Sequence, residues 1–137
     1  SRSYYIGKKE VQLSSDSLWI EIVKNTSIQA VNLLNNKILW TTQSSSRIFN
    51  KPVVINNEVV ISNMSQLLFL NRQSGDVNKI LPIGGPVLSG INREGNFLYM
   101  IAENEGLLAL NLETKEVDWR ISLTKYSSRA NRIVVDN

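Results

Sequence analysis

The sequence predicts an all-β chain built of repeated units, each with about four short antiparallel strands. Two observations carry this. First, the chain resembles itself. Residues 28–41 (IQAVNLLNNKILWT), 67–80 (LLFLNRQSGDVNKI) and 106–120 (GLLALNLETKEVDWR) align with Asn32, Asn71 and Asn111 in register, 39 and 40 residues apart. Second, the apolar runs are short, rich in β-branched and aromatic residues, and bounded by Asn, Ser and Gly, which are strand signals. No helical stripe of period 3.6 competes. The strongest rival, residues 103–117, is interrupted by Asn104, Gly106 and Thr114, and its counterpart in the middle copy carries the turn signal Ser74-Gly75. Units of about forty residues with four strands each are the pattern of a β-propeller blade.

With the three Asn as origin, six residues later stand Ile38, Val77 and Val117, and eight residues later Trp40, Lys79 and Trp119. Two residues before stand Ala30, Phe69 and Ala109. Further upstream each copy has an apolar run: Leu18-Trp19-Ile20, Val59-Val60-Ile61 and Leu98-Tyr99-Met100. Two copies have another before it, Pro52-Val53-Val54-Ile55 and Pro86-Val87-Leu88.

In chain order, residues 1–8 form a lone strand or linker. The first blade covers about 9–46, opened by residues 10–13, with Asn35-Asn36 suited to a tight turn at positive φ. The second covers about 47–83, with Asn56-Asn57 as its first hairpin turn. The third covers about 84–124, entered through Gly84-Gly85-Pro86 and turning at Glu94-Gly95-Asn96. Residues 125–137 resemble the start of a further blade. Three blades with a flanking strand at each end form a partial propeller, since closed rings have about four to eight blades. Open sheet edges need cover. Further blades of a larger propeller, association of two or more copies through open edges, or closure as a small sandwich or barrel would each supply it.

The pattern Ala-x-Asn followed by Lys and Trp, at Ala30 to Trp40 and Ala109 to Trp119, resembles the repeat of PQQ-like β-propellers. That repeat often reads Ala-x-Asp-x-x-Thr-Gly-Lys-x-x-Trp. The middle copy keeps the turn glycine, Gly75, but has Lys79 at the Trp position. All three copies have Asn for the usual Asp, and the third has Thr114-Lys115 where the family often has Thr-Gly. The residues expected to dock blade on blade are therefore Ala30, Trp40, Gly75, Ala109 and Trp119. A large flat ring at a fixed place in each blade fills the space against its neighbour.

Composition narrows the chemistry. The 137 residues include no His and no Cys, so the commonest general base, a thiolate nucleophile and His/Cys zinc sites are all excluded. The absence of Cys leaves the compartment unread. Net charge is +3 with the basic residues scattered, which argues against a nucleic-acid stripe. The densest basic stretch, residues 125–132 (KYSSRANR), reads as a solvated connection. No apolar run approaches a membrane span of about 20 residues. Glu103-Asn104-Glu105 lacks the spacing and glycine of a calcium loop and reads as a solvated turn. Asn25-Thr26-Ser27 and Asn63-Met64-Ser65 match the glycosylation pattern but read as turns.

No catalytic, cofactor or metal site is therefore expected, and the chain reads as a non-enzymatic protein-interaction scaffold with other proteins as partners. Among PQQ-like propellers it looks most like the propeller lipoprotein of bacterial outer-membrane β-barrel assembly, which implies a periplasmic or otherwise exported location and no membrane insertion of its own. Two alternatives of the same resemblance are a fragment of a quinoprotein dehydrogenase and a luminal stress-sensor domain that dimerises. A carbohydrate- or peptide-binding module is a further rival. The quinoprotein reading implies an eight-bladed ring and often a vicinal Cys pair, and this chain has no Cys.

Overall fold

The computed structural model describes residues 2–6, 9–13, 17–125 and 133–135, of which 2–6, 9–13, 124–125 and 133–135 are described as backbone strands. The described residues hold fifteen strands and no helix. β1 (Arg2–Ile6) and β2 (Lys9–Leu13) form a hairpin. β3 (Leu18–Val23), β4 (Ser27–Asn32) and β5 (Lys37–Gln43) form the first antiparallel sheet. The second contains β6 (Val53–Ile55), β7 (Glu58–Ser62), β8 (Gln66–Asn71) and β9 (Val77–Pro82). The third contains β10 (Asn92–Glu94), β11 (Phe97–Ala102), β12 (Gly106–Asn111) and β13 (Glu116–Ile121). β14 (Leu123–Lys125) pairs with β15 (Ile133–Val135). The expected all-β, three-bladed architecture is what the chain adopts.

Two details depart from the expectation. The first sheet has three strands, because β2 pairs with its chain neighbour β1 along its whole length, from Arg2↔Leu13 to Ile6↔Lys9. The opening strand of the third sheet is β10, not the Pro86-Val87-Leu88 run. Gly95, at φ +59°, turns β10 directly into β11 with Glu94 opposite Phe97. Val87 makes a lone bridge to Ala102 at the far end of β11. Between them Ser89 accepts the Ile101 N–H through its hydroxyl oxygen at 2.9 Å, so a side chain stands in for the interrupted backbone ladder.

The three Asn in register each build the same turn. Their Oδ1 atoms accept the backbone N–H two residues on, from Leu34, Gln73 and Glu113, each at 2.8 Å. Their carbonyls accept the N–H four residues on, from Asn36, Gly75 and Lys115, at 2.7, 2.8 and 2.7 Å. Those last residues all have positive φ, at 63°, 77° and 59°. A short amide side chain that folds back on its own backbone favours such turns. Each turn is followed by a register shift in the same place, so that Leu39, Asn78 and Asp118 are each the extra residue of a bulge.

The middle sheet is buried on both faces. Val59, Ile61, Leu68 and Leu70 pack with Ile28, Ala30 and Trp40 of the first sheet. Val60, Leu67 and Phe69 pack with Leu98, Met100, Leu108 and Leu110 of the third. The alternation of strand side chains thus feeds two cores. β4, with one face covered, shows burial at alternate positions, whereas β8 is buried from Leu67 to Leu70.

Candidate functional site

The surfaces with chemical character lie at the two junctions between sheets and on the Ala109–Trp119 face of the third. A row of cross-strand partners runs over the same face of each sheet: Ile20, Ala30 and Trp40 in the first; Val53, Val60, Phe69 and Lys79 in the second; Asn92, Tyr99, Ala109 and Trp119 in the third.

At the first junction Ala30, Trp40 and Gly75 come together. Ala30 is fully buried opposite Trp40, and the small methyl leaves room for the indole. Trp40 is 7% exposed and lies on Gly75, where an added Cβ would sit 2.5 Å from two atoms of the ring. Its Nε1–H donates to the Arg72 carbonyl at 2.8 Å, which satisfies the indole's polar edge. The Thr42 hydroxyl donates to the Gly75 carbonyl at 2.6 Å. At the other end of this junction Asn63 is fully buried. Its Nδ2 donates to Ser44 Oγ and to Gln66 Oε1, each at 3.1 Å, while its Oδ1 accepts the Ser65 and Gln66 N–H groups.

The second junction uses other chemistry. Phe69 takes the place of Ala30, Lys79 that of Trp40, and Lys115 that of Gly75. Lys115 Nζ reaches back to Glu58 Oε2 at 2.6 Å and lies 5.5 Å from the centre of the Phe69 ring. Partial burial pushes the Glu58 carboxyl up. The hydrogen bonds from Lys115 and Asn78, with the lysine's charge, outweigh that and hold it below the ordinary carboxylate value. Beside this pair a cleft of about 400 Å³ opens, with a floor of Ile55, Val60, Phe69 and Leu112 and a rim of Asn56, Asn57, Arg93, Asn96 and Glu113. Farther along, the Gly84-Gly85-Pro86 crossing lies against the β11–β12 turn. Glu105 accepts the Gly84 N–H at 2.9 Å and pairs with Arg120 at 2.7 Å.

Ala109 and Trp119 stand opposite each other on the third sheet, as Ala30 and Trp40 do on the first. Ala109 is fully buried, but Trp119 is 41% exposed, with Tyr99 tilted against it at 5.9 Å between ring centres. Of the basic stretch, residues 126–132 lie outside the described residues. The contact of Lys115 with Phe69 and Glu58 was missed by sequence reasoning, although Lys79 had been noted at the Trp position. Its signal was present, since lysine stands at both the Trp and the Gly positions of consecutive copies.

No family model matches the chain, and no curated protein matches it. Solved structures do. BamB from Moraxella catarrhalis superposes with a TM-score of 0.59 at 14% identity, over 80% of this chain and 36% of that one. A europium-containing methanol dehydrogenase gives 0.60 at 11% identity, over 82% and 26%. The quinohemoprotein alcohol dehydrogenase from Comamonas testosteroni gives 0.65 at 13% identity, over 77% and 19%. The chain has the fold of a partial β-propeller. It spans well under half the length of these propellers, and the likeness is one of fold.

Proposed function

We propose that this chain is a non-enzymatic protein-interaction scaffold of β-propeller type, working in outer-membrane protein assembly or another periplasmic complex. The supporting observation is the outer strand of each sheet. β5, β9 and β13 each end their sheet and are bonded on one side only among the described residues. Ile38, Leu39, Val77, Ile80 and Trp119 on these strands are exposed. A free edge with apolar side chains invites an extended polypeptide to add as a further strand, with main-chain bonds giving affinity and side chains giving selectivity. The unfolded strands of an outer-membrane barrel, alternating apolar and polar over roughly ten residues, are such a partner.

The test is amide hydrogen exchange of the chain with and without a soluble peptide of that alternating pattern. Slowed exchange along β5 or β9 is expected, and Val77→Lys with Ile80→Lys weakens it at β9 alone. Unchanged exchange on all three outer strands at saturating peptide rejects strand addition. Saturable quenching of Trp fluorescence by pyrroloquinoline quinone with calcium, accompanied by alcohol oxidation, overturns the non-enzymatic reading.

A further inference from the structure

The cleft at the second junction is bounded by two turns and a strand. The β6–β7 turn brings Asn56 and Asn57, β10 brings Arg93, and the β12–β13 turn brings Leu112 and Glu113. The parts that come from the third blade are fixed to one another. The Leu112 N–H donates to the Asn96 carbonyl at 2.9 Å, and Asn96 Nδ2 donates to Asn111 Oδ1 at 3.3 Å. The walls are thus preformed, as those of small-ligand sites usually are, and the volume of about 400 Å³ falls in the lower part of the ligand range. The charges around the cleft divide into a used and an unused set. Glu58 and Lys115 neutralise each other. Arg93 and Glu113 have no ion-pair partner among the described residues. Arg93 Nε donates to the Gly95 carbonyl at 3.1 Å, which holds the guanidinium and leaves its terminal amino groups to face solvent. A lone unpaired charge on a surface is ordinary. Here one of each sign borders the same apolar floor.

We infer that this cleft binds a short zwitterionic peptide, of dipeptide size, with apolar side chains. Its carboxylate pairs with the Arg93 guanidinium, whose planar fork matches a carboxylate through two N–H groups. Its α-ammonium pairs with the Glu113 carboxylate. The side-chain amides of Asn56 and Asn57, which have no partner among the described residues, serve the peptide bond, and an apolar side chain rests against Ile55 and Leu112. A ligand with a single charge satisfies one of the two rim groups, and an uncharged ligand such as a sugar satisfies neither charge. The inference does not depend on strand addition at the outer edges, because none of the cleft's residues lies on β5, β9 or β13.

The experiment titrates the full chain with the free dipeptide Leu-Leu, with its N-acetyl form, with its C-terminal amide and with maltose, each followed by amide chemical shifts. Saturable shifts at Asn56, Asn57, Asn96 and Glu113 are expected with the free dipeptide. Each capped form is expected to bind about fivefold more weakly, the scale of one partly exposed ion pair. Arg93→Gln should remove the difference between the free dipeptide and its amide, and keep the difference from the acetyl form. Glu113→Gln should do the reverse. Both residues are exposed, so neither change threatens the fold. Absence of shifts at the cleft up to the solubility limit of the dipeptide overturns the inference. Equal binding of the three peptide forms does so too, as does binding of maltose in place of the dipeptide. Shifts confined to β5, β9 or β13 and lost in the Val77→Lys, Ile80→Lys protein assign the binding to strand addition and also overturn it.

Discussion

Lys115 Nζ stands 2.6 Å from Glu58 Oε2, so a residue of the third blade's turn is tied to the first residue of β7 in the second. The two side chains are 29% and 21% exposed, so the pair is only partly shielded from water. A pair so placed contributes roughly 0.5–1 kcal/mol rather than the larger figure of a dry interior. Because the folded Glu58 carboxyl lies below its unfolded value, its contribution is present above the unfolded value and is lost as pH falls through the folded one. Glu58→Gln should lower the thermal midpoint at pH 7 and bring the two proteins together in acid. Midpoints that stay equally far apart from pH 7 to pH 3 would show that the loss is one of packing, not of charge.

The two tryptophans at equivalent positions should behave differently. Trp40 is 7% exposed, and its removal opens a cavity against Gly75. Trp40→Ala is expected to cost about 3–5 kcal/mol in denaturant unfolding. Trp119 is 41% exposed, and Trp119→Ala is expected to cost about 1 kcal/mol or less. Equal losses would mean that Trp119 is covered in solution. An unchanged midpoint for Trp40→Ala would rule out its part in holding the first two blades together.

The register of the fold was legible because the three Asn turns repeat a chemical device, and a device that depends on local backbone leaves a local signature. The bulges at Leu39, Asn78 and Asp118 share no residue type, so nothing in composition marks them, although their place is the same in all three blades. β10 was illegible for a related reason. Asn92, Arg93 and Glu94 are exposed and have no strand propensity, and they pair because the Gly95 turn delivers them to β11. The apolar Pro86-Val87-Leu88 run looked like a better strand and serves instead as a crossing. At the candidate site, Trp40 and Gly75 could each be named from the repeat. The exchange of Ala, Trp and Gly for Phe, Lys and Lys requires knowing which blade faces which.

Asn63 provides a test of the polar link at the opposite end of the first junction. Its amide is fully buried and satisfied on both sides, by Ser44 and Gln66 as acceptors and by the Ser65 and Gln66 N–H groups as donors. Asn63→Ala leaves two backbone donors without that acceptor, each costing about 1–3 kcal/mol when buried. A loss of roughly 2–4 kcal/mol in urea unfolding is expected, with Ser65 and Gln66 amides exchanging faster than before. A loss under half a kcal/mol, about the scale of ordinary surface substitutions, would show that water replaces the side chain there.

The contact between Trp40 and Gly75 is best tested as a cycle, because either change alone has more than one cause. Gly75→Ala adds a Cβ that would lie 2.5 Å from the indole and 2.8 Å from Thr42 Oγ1, at φ +77°. Overpacking costs about 1–3 kcal/mol, and alanine in the left-handed region adds about 1 kcal/mol whatever its neighbours. Removing the ring relieves the first cost and leaves the second. Gly75→Ala should therefore destabilise the Trp40→Ala protein by only about 1 kcal/mol while costing the parent two or three times as much, a coupling on the order of 1–2 kcal/mol. Strict additivity would mean that Gly75 is needed for its turn alone. The pairing of Trp with Gly would then fail as a rule for blade neighbours.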